Sequence, residues 1–231
     1  MEKINGAKDD SGEIDMTMHG KSWSTWRRHN FEFFKKYLTD TAGKTVVDLG
    51  AGDFLFPDLF RDAKYIGVDV VQSRLVSVVA DINKTIPLSD GLADIIYASN
   101  TIEHIYNPDN VFRETFRILK PRGFFIGTVP FLRPLHCEPH DYLRYTPYML
   151  RHLLSEAGFT DIKIDSLGSV TDMFRLSRDL FYTHAIENAS GLKRVIFRLM
   201  RKLYKVLDRV LPRSVVSMSY TEGYGFRARK P

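Results

Sequence analysis

Between about residues 45 and 164, short apolar runs alternate with longer stretches in which apolar positions recur at helical spacing. The runs at 45–49, 65–70, 75–80, 94–98, 124–129 and 161–164 have the length and β-branched content of buried strands. Helices are predicted at 54–61, at 108–119, where Pro108 suits a first turn, and at 147–157, where Gly158 is a C-terminal stop. Strand and helix in alternation predict an α/β fold with a mostly parallel sheet. One connection departs from this scheme. The few residues between the second and third strands cannot form the usual crossover helix.

Residues 1–21 are polar and without apolar period, and a flexible arm is expected there. Residues 22–42 then hold an N-terminal helix: Trp23, Trp26, Phe31, Phe34 and Tyr37 recur at helical spacings, with Ser22 or Ser24 as its cap. These aromatics either pack into the core or close, with the arm, as a lid over a ligand.

A chain of 231 residues is one domain with a full core, and 44% hydrophobic with 26% charged residues is the balance of a soluble globular protein. With no apolar run near 20 residues and no signal-peptide pattern, a cytoplasmic protein is expected. The single Cys137 excludes an internal disulfide and reads as a small packed residue rather than a nucleophile. The net charge of +5 is concentrated in one segment. Lys193, Arg194, Arg198, Arg201, Lys202, Lys205, Arg209 and Arg213 face only Asp208, so residues 191–213 carry +7 and the rest of the chain −2. The basic balance describes one helix and not the core.

The candidate chemistry starts at Asp48-Leu49-Gly50-Ala51-Gly52, where the first strand ends in an acid and a glycine turn. Tyr65-Ile66-Gly67-Val68-Asp69 ends the second strand on another acid, 21 positions later. This is the layout of a nucleoside-binding βαβ unit, in which the glycines admit the ligand and the second carboxylate accepts from ribose hydroxyls. A dinucleotide fingerprint would have glycine at position 55, where this chain has Leu55, and would set a pyrophosphate over the loop. Asp48 and Asp53 flank that loop and would repel it. A ligand carrying an ammonium and a sulfonium would be attracted, which favours S-adenosylmethionine over NAD or FAD.

Taken in order, these segments resemble the class I S-adenosylmethionine-dependent methyltransferases of the type 11 group. Asp48-Leu49-Gly50-Ala51-Gly52 is similar to that family's first motif, with Phe54 at its frequent third glycine. Asp69, followed by Val70, matches the ribose-holding acid, and Asp81-Ile82 sits where the family places an acid that accepts from the adenine amino group. Residues 86–96 are similar to its turn and fourth strand, and Ser99-Asn100-Thr101-Ile102-Glu103-His104-Ile105 to the segment at the methionine end. Residues 118–124 look like its stretch before strand five, with Arg122 replacing a common glycine. The resemblance covers 44–165, the cofactor-binding core, and the last dozen residues. It implies a Rossmann-like, seven-stranded, mostly parallel sheet of order 3-2-1-4-5-7-6 with helices on both faces. The last strand falls in 221–231, and a helical insertion fills 167–220. It also implies that Asp48, Gly50, Ala51, Gly52, Asp69, Val70, Asp81, Ile82 and Asn100 bind the cofactor.

Acceptor-side candidates should lie beyond the carboxyl ends of the strands. After the fifth strand the chain reads His136-Cys137-Glu138-Pro139-His140-Asp141-Tyr142-Leu143-Arg144-Tyr145-Thr146. A similar His-Asp-x-x-Arg-Tyr-Thr stretch occurs in part of the methyltransferase group. His104, His140 and Asp141 are the catalytic candidates, and His136, His140, Arg144 and Tyr145 the substrate-binding ones. Alternatively Asp141 and Arg144 pair to fix the loop, and Thr146 caps the next helix. A metal site from His136, His140 and Asp141 is conceivable, but nothing in the spacing fixes its geometry and no metal is expected.

The basic segment places Val195, Ile196, Leu199, Leu203, Val206, Leu207 and Val210 on one face of an amphipathic helix. It can dock on the domain, form a homo-oligomer contact, or lie on an anionic membrane surface. Nucleic acid is not an expected partner, because Asn100-Thr101-Ile102-Glu103 lacks the Asn/Asp-Pro-Pro-aromatic signature of amino-base methyltransferases. The expectation is methyl transfer from S-adenosylmethionine to a small-molecule acceptor, through a hydroxyl, with a sugar or lipid-linked precursor among the candidates. A non-catalytic S-adenosylmethionine-binding subunit and a nicotinamide-dependent oxidoreductase are the rival classes.

Overall fold

The computed structural model describes residues 23–52, 56, 59–60, 62–208, 210 and 215–231. The arm expected at 1–21, most of the helix expected at 54–61, and Asp53 lie outside the described residues. The chain forms helices α1 (Thr25–Tyr37), α2 (Pro108–Ile118), α3 (Pro147–Glu156), α4 (Val170–Asn188) and α5 (Gly191–Leu207). Its strands are β1 (Thr45–Leu49), β2 (Lys64–Asp69), β3 (Val76–Val79), β4 (Ala93–Ser99), β5 (Leu119–Pro130), β6 (Thr160–Leu167) and β7 (Gly223–Arg229). They make one seven-stranded sheet in the expected order, β3-β2-β1-β4-β5-β7-β6, with β7 antiparallel to both neighbours and the other pairs parallel.

The sheet is covered on both faces, which is why its central strands read as continuous apolar runs. Alternate residues of one strand enter different cores: Val47, Ile96 and Phe125 pack with α2 and α3, while Val46, Ile95, Tyr97 and Ile126 pack with α1. The aromatic helix therefore does build core, through Phe33 and Phe34, and Ser24 is its cap, accepting from the Arg27 amide at 3.2 Å. Trp26, Arg27 and Asn30 of the same helix also line a cavity, so α1 serves the core on one side and the cleft on the other.

The short link between β2 and β3 works because these strands overlap only briefly: Gly67 pairs with Val76 and Asp69 with Val79. The chain need retreat by only a few residues of strand before turning forward again, a distance that six residues reach easily. Gly67 makes this possible. A Cβ there would stand 2.0 Å from the Leu75 carbonyl oxygen.

β5 begins earlier than expected, directly after α2, and the Pro121-Arg122-Gly123 stretch lies within it. Arg122 adopts φ +66°, the left-handed conformation glycine takes without cost, and its amide donates to the Lys230 carbonyl at 3.0 Å. The insertion after β6 is a helical hairpin. Ser169 and Asp172 form a capping box at the start of α4, and Arg178 is clamped to Asp208 and Asp179. Phe197 and Tyr204 of α5 rest on Phe181 and Tyr182 of α4. No residue of α5 is buried, so it lies on α4 rather than in the main core. Among the described residues no helix is long and apolar enough to cross a membrane.

Candidate active site

Two cavities open at the carboxyl ends of β1, β2 and β4 and share Gly50 and Asn100 in their walls, forming the two lobes of one cleft. One lobe, about 640 Å3, is bounded by Asp69, Val70, Asp81, Ile82, His104, Cys137 and His140. The other, about 520 Å3, is bounded by Asp48, Ala51, Gly52, Tyr97, His136 and the α1 residues. All nine residues expected to hold a cofactor therefore line this cleft.

The glycine turn is shaped by contact as well as by conformation. Gly50 sits at φ +75°, where an added Cβ would fall 2.4 Å from the Thr101 side chain, and the Thr101 hydroxyl donates to the Leu49 carbonyl at 2.9 Å. This ties the loop after β1 to the one after β4. Gly52, at φ +50°, has no such neighbour within 3.4 Å among the described residues.

Asp69 is oriented by backbone: its Oδ2 accepts from the Gly52 amide and its Oδ1 from the Val71 amide, each at 3.0 Å. Each carboxylate oxygen has two acceptor directions, so capacity for two hydroxyls is left. Asp81 accepts from both the amide and the side chain of Asn83 at 3.0 Å, and these bonds together with Lys84 hold its carboxyl below the usual range. Asn100, at φ +52°, has a buried Oδ1 without a partner, at the junction of the lobes.

Asp48 behaves differently from its expected role as a fixed charge. It is buried, and desolvation pushes its carboxyl up to about 8, against the hydrogen bond that the Tyr65 hydroxyl donates at 2.6 Å. At neutral pH it holds a proton, so it is a latent anion that a cationic ligand would ionise.

The acceptor-side expectations divide. Asp141 is not placed to act as a catalytic base. Arg144 holds it with two bonds of 2.5 and 2.6 Å, the His136 amide donates to it at 3.0 Å, and its carboxyl is lowered to about 2. Arg144 is consumed by the same pair and by the Pro134 and Leu143 carbonyls, so both serve the loop rather than a substrate. Tyr145 is 2% exposed and donates to the Ile102 carbonyl at 3.1 Å, which makes it core. Thr146 caps α3, accepting from the Met149 amide at 3.2 Å. Cys137 is exposed in the cleft wall rather than packed, and burial of its thiol together with Glu103 and Asp141 raises its pKa, which disfavours the thiolate.

The histidines do gather at the cleft. His104 Nδ1 donates to the His140 carbonyl at 2.8 Å, and His140 Nδ1 lies 3.0 Å from the Tyr142 hydroxyl. The His104 and His136 rings meet edge to face at 4.9 Å. Between them lies Glu103, which the residue pattern did not single out. It is fully buried at the turn after β4, and among the described residues neither carboxylate oxygen has a partner that meets hydrogen-bond geometry. His136 Nε2 approaches Glu103 Oε1 at 3.5 Å and His104 Nε2 at 3.8 Å. The neighbouring Glu103 carboxylate, with Asp141 behind, holds the His136 imidazole above its ordinary pKa. An acid directly before a histidine at the end of a strand was the available signal, but alternation at a strand end does not tell which of the two is buried.

Comparison with known proteins fixes the family. The profile of a methyltransferase-domain family matches residues 23–164, which is more than half of the chain. The chain belongs to this family. It is 32% identical over 101 residues to a methyltransferase of Mycolicibacterium gilvum, a match that covers 38% of this chain and 40% of that protein. It is 26% identical over 116 residues to a probable S-adenosylmethionine-dependent methyltransferase of Mycolicibacterium smegmatis, covering 46% and 45% of the two chains. The matched segment thus spans less than half the length of these relatives. Among solved structures, an S-adenosylmethionine-dependent methyltransferase from Archaeoglobus fulgidus superposes with a TM-score of 0.58 at 18% identity, over 90% of this chain and 95% of its own. That likeness confirms the fold. Membership in this family sets aside the nicotinamide-dependent reading.

The cleft residues fit the family's cofactor. Two oriented carboxylates face the adenosine lobe, an open glycine loop and the latent anion Asp48 face the methionine lobe, and an unsatisfied Asn100 oxygen lies between them.

Proposed function

We propose that this protein transfers a methyl group from S-adenosylmethionine to a hydroxyl of a small-molecule acceptor. The observation that carries the reading is the pair of lobes meeting at Asn100, with His104 and His136 in their walls. The cofactor supplies a methyl group already activated on a sulfonium. Asp69 and Asp81 bind the ribose and adenine, and the Gly50–Gly52 turn admits the chain that carries the sulfur. The remaining work is alignment of the acceptor oxygen along the S–CH3 axis, worth several kcal/mol when the reacting atoms are held near contact. In the transfer the O–CH3 bond forms as the S–CH3 bond breaks, the electron pair stays on sulfur, and the hydroxyl proton leaves to a base. His104 is placed for that step: its Nδ1–H is fixed on the His140 carbonyl, so its Nε2 carries the lone pair.

The test is calorimetric titration of the purified chain with S-adenosylmethionine, S-adenosylhomocysteine and NAD, followed by label transfer from methyl-labelled donor to hydroxyl acceptors. Micromolar binding of the first two with label in product supports the proposal. Binding without transfer to any acceptor favours the non-catalytic subunit, and NAD binding alone overturns the cofactor assignment.

For α5 we infer contact with an anionic membrane surface, which would place a lipid-linked acceptor near the cleft. Leu192, Val195, Ile196, Leu199, Leu203 and Val206 are all exposed, and Leu199 is 60% so. The face turned toward α4 is a different one, marked by Phe197 and Tyr204. Six cations and no acid lie within Gly191–Leu207. An exposed apolar stripe flanked by cations matches a lipid interface. Co-sedimentation with phosphatidylglycerol vesicles, lost in Leu199→Glu and absent with phosphatidylcholine alone, is the expected result. Equal behaviour on both vesicles would contradict it.

A further inference from the structure

Glu103, His104 and His136 converge so that one ligand atom from each lies within 4.8 Å of the other two. The hydrogen bonds behind these groups decide what stands between them. His104 Nδ1 faces a carbonyl oxygen, which only accepts, so this nitrogen carries the proton. His136 Nδ1 lies 3.3 Å from the Pro134 carbonyl and 3.2 Å from Asp141 Oδ2, which are both acceptors, so it carries its proton too. In the neutral rings both Nε2 atoms then present lone pairs. Both Nε2 atoms stand near Glu103 Oε1, itself an acceptor, at 3.5 and 3.8 Å. With both rings neutral, three acceptors thus face one another around a carboxylate that is 0% exposed and meets no hydrogen-bond geometry among the described residues; a proton on His136 or a bound cation would complete it. A buried group in this state is costly unless something positive completes it.

We propose that a divalent first-row transition ion binds between Glu103, His104 and His136. Two imidazoles and a carboxylate are borderline ligands that suit zinc and its neighbours. In both histidines the far ring nitrogen donates to a carbonyl or carboxylate, the arrangement that fixes a metal-ligating tautomer. Tetrahedral ligands at about 2.0–2.2 Å from zinc stand about 3.3 Å apart, so the observed separations close with small side-chain movements. Three protein ligands leave a fourth position. His104 lines one lobe and His136 the other, so that position belongs to the cleft. With an ion bound, the His104 Nε2 lone pair is a ligand and no longer the base proposed above. This step rests on the proposed hydroxyl transfer: the ion instead takes the acceptor oxygen and lowers the pKa of its hydroxyl, whose proton passes to solvent. This site differs from the His136–His140–Asp141 set that the residue order suggested, because Arg144 occupies Asp141.

The experiment uses the full chain, stripped with chelator and titrated with Zn2+ against a chromogenic competitor, in the absence of S-adenosylmethionine. Its outcome is therefore independent of the cofactor assignment. One equivalent is expected to bind at submicromolar concentration. Affinity should fall at least tenfold in Glu103→Gln and in the half-exposed His136→Gln, and stay unchanged in His184→Gln and His29→Gln. Co2+ in the same site should give visible d–d bands that His136→Gln alters. Binding that is absent, or equally strong in His136→Gln, overturns the proposal.

Discussion

At the adenosine end of the cleft, Asp69 accepts two backbone amides and Asp81 accepts from Asn83, so each acid is aimed by the chain and keeps capacity to spare. At the end assigned to the acceptor, Glu103 is more deeply buried than either and, among the described residues, has no donor in hydrogen-bond geometry. The same carboxylate chemistry is pre-oriented by the polypeptide in one place and left incomplete in the other. The loop after β5 supplies the counterexample within a few ångströms, since Asp141 is saturated by Arg144 and the His136 amide. On the proposed reading, the acid left unsatisfied is the functional one and the saturated acid is structural, a distinction their places in the sequence do not make.

The largest effect should come from the saturated acid. Asp141→Ala orphans Arg144 and is expected to lower unfolding free energy by about 3–5 kcal/mol, measured by denaturant titration. A loss below 1 kcal/mol would return Asp141 to the candidates for chemistry. Next, Asp69→Ala removes charge-assisted bonds to the ribose worth about 1.5–3 kcal/mol each. S-adenosylmethionine affinity should fall about a hundredfold by calorimetry.

The incomplete acid should respond with the opposite sign. Glu103→Met replaces an unsatisfied buried charge with an apolar side chain of similar volume. In chelator it should raise stability by about 1–4 kcal/mol while transfer is lost. Destabilisation instead would mean that Glu103 is paired within the fold.

The smallest effect concerns Asp48. Its raised carboxyl is protonated below about 8, and a cationic ligand drives it to ionise, so binding releases a proton. Affinity for S-adenosylmethionine should rise with pH, by up to about tenfold per unit, and level off near pH 8. Asp48→Asn should flatten the profile between pH 6 and 8, with proton release read from titrations in two buffers. Without a ligand the same raised pKa makes the folded state hold a proton the unfolded state gives up. Asp48 therefore lowers stability as pH rises from the ordinary carboxylate range toward 8.

The fold, and the gathering of the expected cofactor residues at one cleft, were legible in the sequence because they depend on local pattern. β1 and β4 are mostly buried and read as apolar runs, and Asp48 and Asp69 at the ends of β1 and β2 come with the glycine turn. Strand order followed from the motif resemblance, and the short β2–β3 link from the small overlap that Gly67 permits. The acceptor end was less legible because its meaning is tertiary. His136, Asp141, Arg144 and Tyr145 lie within ten positions, yet one faces the cleft, two neutralise each other and one fills the core. Glu103 gained its importance only through His136, which lies 33 positions further on and is brought to it by the fold. The charge on Asp48 was misjudged for a related reason, since burial against Tyr65 sets its protonation and no sequence window contains that contact.

The division of labour between the two ends is tested most directly by one paired measurement on wild type, His104→Ala and His136→Ala. Label transfer from methyl-labelled S-adenosylmethionine to a hydroxyl acceptor is followed beside calorimetric affinity for the donor. Transfer that falls at least a hundredfold in both variants, with donor affinity within about threefold of wild type, is the predicted result. Transfer indifferent to both histidines, or donor affinity lost along with it, would contradict the account.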